Sequence, residues 1–197
     1  MIREKWRCLS SIERSSSVTV AADESFRPIN IDAMDLLAYF LMLARYNRIP
    51  NETLFENVSS LEPAEYFKQR PGSFGSIHGL LNHLMLSDQL WMERFQGGGH
   101  DTPKLNTALF DDFYAVKPAR VELDARIERF FASLTDEFLQ RSFPYINNKG
   151  IAYLEAAPVA VGHFFNHQTH HRGQVHVMLS QTSVPPPSLD LHRIINP

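Results

Sequence analysis

Residues 158–181 read PVAVGHFFNHQTHHRGQVHVMLSQ, and this stretch decides the fold. Pro158 suits a first helical turn, where its missing N–H costs nothing. Val161, Phe164, Val175 and Met178 recur at helical spacing. Pro185-Pro186-Pro187 forbids continuation past about Gln181. Within this helix lie His163, His167, His170, His171 and His176, five of the nine histidines in the chain. His167 and His171 are four apart, which on a helix sets them about 40° apart in direction and about 6 Å apart along the axis, so both rings can turn toward one ion. An imidazole facing an apolar interior needs a partner, since an unsatisfied buried polar group costs roughly 1–3 kcal/mol.

His163 continues the row but lies about 12 Å from His171 along the axis. That is too far to share an ion whose nitrogen ligands sit near 2.1 Å. A third ligand must therefore come from another segment. His83 is the candidate, because it falls among Leu80, Leu84, Ser87 and Trp91 on a long helix predicted from Ser76, its N-cap, to about Phe95. His78 points away from that face, while His100 and His192, in loops, are the alternatives. A lone histidine on an apolar face is more often a satisfied core residue than a ligand. His170 and His176 read as surface or packing residues.

Outward from these two helices the pattern gives two more. Leu37, Phe40, Leu41 and Ala44 carry a helix from Asp32 to Arg48, with Pro50 ending or kinking it and Asn51 capping a continuation. A short helix starts near Glu62-Pro63. After Gly97-Gly98-Gly99 and a loop with a helical turn near Phe110–Phe113, Pro118 opens a helix to about Gln140, apolar along Leu123, Ile127, Phe131 and Leu134 with its polar residues on the other side. Phe143–Ile146 and Ile151–Leu154, around Asn147-Asn148-Lys149-Gly150, predict a small β-hairpin before the last helix. The fold class is all-α, with four long helices and no heptad or internal repeat. Residues 1–33 read as an accessory N-terminal segment, with a brief strand pattern at Ser17–Val20, and residues 34–197 as one domain with a proline-rich tail.

Composition narrows the function. The chain has 197 residues, net charge −3 and one cysteine, Cys8. No intramolecular disulfide can form, and a cytoplasmic location is expected. The mixed charge gives no basic stripe for nucleic acid. No window approaches the apolar length of a membrane span.

The sequence resembles the DinB family of the DinB/YfiT-like metalloenzyme superfamily. The likeness rests on Tyr46-Asn47, Asn51 and Leu54; on Ser76, His83, Asp88 and Trp91; on His167-Gln168-Thr169-His170-His171-Arg172-Gly173-Gln174; and on Pro186 with Leu189-Asp190. The resemblance implies an antiparallel four-helix bundle of up-down-down-up order, a homodimer, and a divalent ion on His83, His167 and His171. Ligand type suits Zn or Ni first, with Fe or Cu also admitted. Three imidazoles and an open fourth position describe a catalytic site. Relatives in the superfamily imply activation of a low-molecular-weight thiol or water against an electrophilic small-molecule substrate, as an S-transferase or hydrolase. The alternative is a non-enzymatic stress-response protein with a structural ion. Arg172 is expected to brace the helix, with binding of an anionic group as the alternative. Gln174 and Asp88 are candidate partners of the ligands, although Asp88 lies about 140° around the helix from His83.

Overall fold

Asp35 accepts from the Ala38 amide at 2.6 Å and so caps helix α1, Leu36–Ser59, in a computed structural model that describes residues 35–99 and 102–196. The N-terminal segment, Cys8, the Ser17–Val20 pattern and His100 lie outside the described residues. α1 runs on through Pro50, so the proline does not end the helix as one reading of the sequence had it, and Asn51 sits inside the helix and is not a cap. Proline in a helix interior costs about 3 kcal/mol. The continuous buried face of Ala44, Asn47, Asn51, Leu54 and Val58, on both sides of Pro50, outweighs that cost.

α2, Pro63–Phe67, begins with proline in its first turn. α3, Ile77–Phe95, starts at Ser76, whose hydroxyl accepts from the Gly79 amide at 3.0 Å. α4, Phe113–Ala132, begins five residues before the expected Pro118 because Asp112 caps it, accepting from the Ala115 amide at 2.9 Å. It also ends early. Ser133 closes it, and a separate short helix, α5, Asp136–Leu139, follows a fresh N-cap at Thr135. The polar residues of α4 do not all face outward: Arg120 and Asp124 are each 2% exposed.

The hairpin is present as β1, Ser142–Ile146, and β2, Ala152–Ala156, antiparallel with Tyr145 opposite Tyr153. Its turn is tied by Asn147, whose side-chain oxygen accepts from the Lys149 and Ile151 amides. β2 leads directly into α6, Ala157–Leu179. Arg94 of α3 lies against both Trp91 and Tyr145, at 4.7 and 4.2 Å from their ring centres, and so fastens the hairpin to α3.

Among the described residues the chain is mostly helical with this one small antiparallel sheet. α1 packs on α4 and α6, and α3 packs on α6 and α4. Phe95, Phe131 and Phe164 bring α3, α4 and α6 together in one aromatic core, joined by Phe138 and Phe143. The tail returns across α1: the Tyr46 hydroxyl donates to the Leu189 carbonyl at 2.6 Å, and Asn57 donates to the Pro185 carbonyl at 2.8 Å. α7, Leu191–Ile195, ends the described chain. No described helix is long and apolar enough to cross a membrane.

Candidate metal centre

Packing α3 against α6 brings His83, His167 and His171 together, with one ring nitrogen from each within 4.8 Å of the others. The ring centres are 5.0 Å apart for His83–His167, 4.5 Å for His83–His171 and 4.4 Å for His167–His171. His83 and His171 are 3% and 8% exposed, while His167 is half-buried.

Hydrogen bonding fixes which nitrogen of His83 and of His171 faces the cluster. His83 Nδ1 lies 2.9 Å from the Leu105 carbonyl, which can only accept, so that nitrogen carries the proton. In neutral His83 the Nε2 lone pair is then free, and it points at His167 Nε2, 3.1 Å away. His171 Nδ1 lies 2.8 Å from the Gln174 side-chain oxygen, and the Gln174 amide group donates in turn to His170 at 3.1 Å. His171 Nδ1 is therefore also the protonated nitrogen. Outer partners of this kind orient imidazoles that bind metals.

Burial also removes the proton that competes with a metal. It pushes His83 down to about 4, with the His171 charge acting in the same direction and the Leu105 carbonyl opposing. Burial and the neighbouring histidines push His167 down to about 3. His171 is lowered as well, by burial first, with Gln174 opposing. All three rings are neutral near pH 7. Two nitrogens 2.1 Å from a tetrahedral ion stand about 3.4 Å apart, close to the separation of His83 and His167. The donor set fits a divalent metal of the imidazole-binding kind.

A polar network on the inner side of α6 holds these helices in register. Asp88 of α3 accepts from Arg120 at 2.7 Å and from the Gln168 side chain. Arg120 also binds both oxygens of Asp124, at 2.6 and 2.9 Å. Asp124 accepts from Asn51 at 2.9 Å, and Arg172 donates to Asn47 and Asn51 of α1. All of these residues are 2% exposed or less. Burial alone would lower Arg120, but Asp124 and Asp88 outweigh it and raise its pKa. Burial pushes Asp124 up to about 6 against the pull of Arg120. Gln168 and Arg172 directly follow His167 and His171, so the network positions the cluster from behind.

The loop between α2 and α3 closes one side. The Phe74 ring stacks on His83, centres 3.8 Å apart and planes 17° apart, and meets His171 edge-on at 5.6 Å. Its backbone has φ of 62°, a left-handed conformation that bulky residues rarely adopt.

A family model described as DinB family matches residues 34–197. The chain belongs to the DinB family. This DinB-family chain is also similar to Protein DinB of Bacillus subtilis (strain 168), 29% identical over 143 residues that cover 71% of this chain and 83% of that relative.

Among the described residues the remaining histidines of this DinB-family chain do not join the ligand group, although the His170 ring lies 4.8 Å from that of His171. His163 is exposed against Trp91, with its ring 5.7 Å from that of His167. His78 packs on Tyr66 and Phe67. His176 hydrogen-bonds the Pro187 carbonyl, and His192 lies in α7, not in a loop. Arg172 is a buried brace, Gln174 touches His171, and Asp88 belongs to the buried network without touching a cluster histidine. Sequence reading missed Leu105, whose contribution is a carbonyl, and Phe74. It also missed Arg120 and Asp124, although their i, i+4 spacing on the stripe of Val116, Leu123 and Ile127 marks them as inward-facing.

Proposed function

We propose that this DinB-family protein holds one divalent ion, Zn or Ni first, on His83, His167 and His171, and is a metal-dependent enzyme of the S-transferase or hydrolase type. The observation that carries the reading is the pair of anchored rings. Leu105 and Gln174 each accept a hydrogen bond from the Nδ1–H of a buried neutral imidazole, leaving the other nitrogen free toward the cluster. When bound, the ion supplies Lewis acidity and lowers the pKa of a thiol or water.

The chain's own residues supply the setting. His83 and His171 present fixed lone pairs, Phe74 keeps solvent from one side of His83, and Gln168 and Arg172 hold α6 so that its two histidines stay in place. Among the described residues no carboxylate or cysteine joins the group, which supports a three-ligand site with room for a small-molecule substrate. The buried network already braces the four long helices, which favours a reactive ion over a merely structural one. The reading includes an antiparallel four-helix bundle of up-down-down-up order for residues 34–197, residues 1–33 as an accessory segment, a cytoplasmic homodimer, and a low-molecular-weight thiol as co-substrate.

The test is metal analysis of the purified protein near pH 7.5, followed by a screen of small thiols against electrophiles. One bound ion per chain and turnover that disappears in His171→Ala support the proposal. Metal binding without turnover, and with lost stability in that variant, supports a structural ion instead. Absence of divalent-metal binding overturns both.

A further inference from the structure

We infer that Phe74 is a specificity-determining residue of the three-histidine site, a fixed aromatic wall that limits the size of the group able to approach the ligands from the α2–α3 loop. The inference rests on the metal reading above. Its starting point is a conflict between the backbone and the side chain. A residue at φ 62° is most comfortable as glycine, and the loop does place glycines at its other positive-φ positions, Gly72 and Gly75, yet this one carries a phenylalanine. Strain of this kind persists where the surroundings over-determine it, and it gathers at functional sites.

Here the surroundings are explicit. Arg70 donates its amide to the Gly75 carbonyl at 2.6 Å, and Ser76 donates its own to the Phe74 carbonyl at 2.8 Å, pinning both sides of the turn. The Phe74 carbonyl sits so close to α3 that a Cβ on Gly79 would collide with it. The loop is thus seated directly on α3 by two backbone hydrogen bonds and a close approach, and its left-handed backbone carries the ring over His83. Through one stacked and one edge contact the ring touches two of the three candidate ligands. Packing alone would be served by an apolar residue on relaxed backbone. What this arrangement adds is a rigid flat surface beside the ligand nitrogens, suited to admit a slim aliphatic thiol and to exclude a bulky aromatic one.

The experiment loads the native chain, Phe74→Leu and Phe74→Ala with Co2+ and titrates each with 2-mercaptoethanol and with 2-naphthalenethiol, read by the cobalt–thiolate absorption band. In Phe74→Ala the affinity for the naphthyl thiol is expected to rise about tenfold, with the small thiol changed less than about twofold and Phe74→Leu in between. An unchanged ratio between the two thiols across the three chains overturns the inference and leaves the metal reading standing. A metal-free measurement separates the two ideas further. Carbethoxylation of His83 and His171 by diethyl pyrocarbonate, mapped by mass spectrometry, is expected to be several-fold faster in Phe74→Ala, and equal rates count against a wall. If the native chain takes up no Co2+, the metal reading falls, and the modification rates alone decide whether Phe74 shields the imidazoles.

Discussion

His83 and His167, 84 residues apart in sequence, face each other through their Nε2 atoms across 3.1 Å. Without a metal, a neutral pair at this distance shares one proton, donated by His167 because the His83 proton is committed to Leu105. Replacing that proton by a cation requires no ring to turn over. Binding is therefore expected to proceed with little change in structure, the His167 proton moving from Nε2 to Nδ1 while the ring stays neutral. Calorimetry of Zn2+ binding at pH 6 in buffers of different ionisation enthalpy should therefore detect well under one proton released per ion, because the ligands are already neutral.

Gln174 touches no ion in this scheme, yet it holds the His171 tautomer. Gln174→Ala is expected to weaken metal affinity by about 10–100-fold, the usual cost of losing an outer partner, while the helix stays folded. Gln174→Glu, which keeps an acceptor at the same place, should recover most of the loss. Competition with a calibrated chelator measures both.

Arg120 stands between two buried carboxylates. Arg120→Met leaves Asp88 and Asp124 with one fewer cation, and breaking such a buried pair costs about 3–5 kcal/mol. Urea unfolding of the metal-free chain should register that loss. The Arg48–Glu52 pair is much more exposed, and its removal by Glu52→Gln should stay within about 1 kcal/mol.

Gly79 poses a question of sign. Glycine to alanine inside a helix normally stabilises by roughly 1 kcal/mol. At this position the new methyl meets the Phe74 carbonyl, so Gly79→Ala is expected to destabilise by about 1–3 kcal/mol, as overpacking does. Thermal unfolding with a midpoint above that of the native chain would show the loop to be free to move.

The pH dependence of metal-free stability follows from opposed groups. His83 and His167 have folded pKa values near 4 and 3 against an unfolded value of 6.5, so the unfolded chain binds more protons and stability rises with pH up to about 6.5. Asp124 works the other way. Its folded pKa near 6 exceeds the unfolded 3.8, so it costs stability as pH rises from about 4 to 6. Above pH 6 Asp124 is still titrating and the raised Asp88 acts in the same sense, but the five lowered histidines, His78, His83, His163, His167 and His171, outnumber them. Unfolding free energy should therefore increase from pH 6 to 7, and His167→Phe should flatten that slope.

Much of this was legible in the sequence, for identifiable reasons. His83 could be singled out because it interrupts an apolar stripe, and His163 could be set aside because helix rise keeps it from His171. Ser76 and Pro158 marked helix starts through local chemistry. Pro50 and Pro118 misled because their local penalty is real but smaller than the gain from the buried faces of α1 and α4. Arg120 and Asp124 read as surface charges because their compensation comes from Asp88, Asn51 and each other, which only tertiary packing brings together. Phe74 had no signature at all, since a left-handed phenylalanine is imposed by its neighbours in space.

The separation of His83 from His167 also bears on synthesis. At about 5–20 residues per second, a ribosome delivers the second ligand on the order of ten seconds after the first. Arg172, which ties α6 to Asn47 and Asn51 of α1, emerges later still. A nascent chain that has α3 without α6 therefore lacks two of the three candidate ligands, and the group assembles only after His171 has been made.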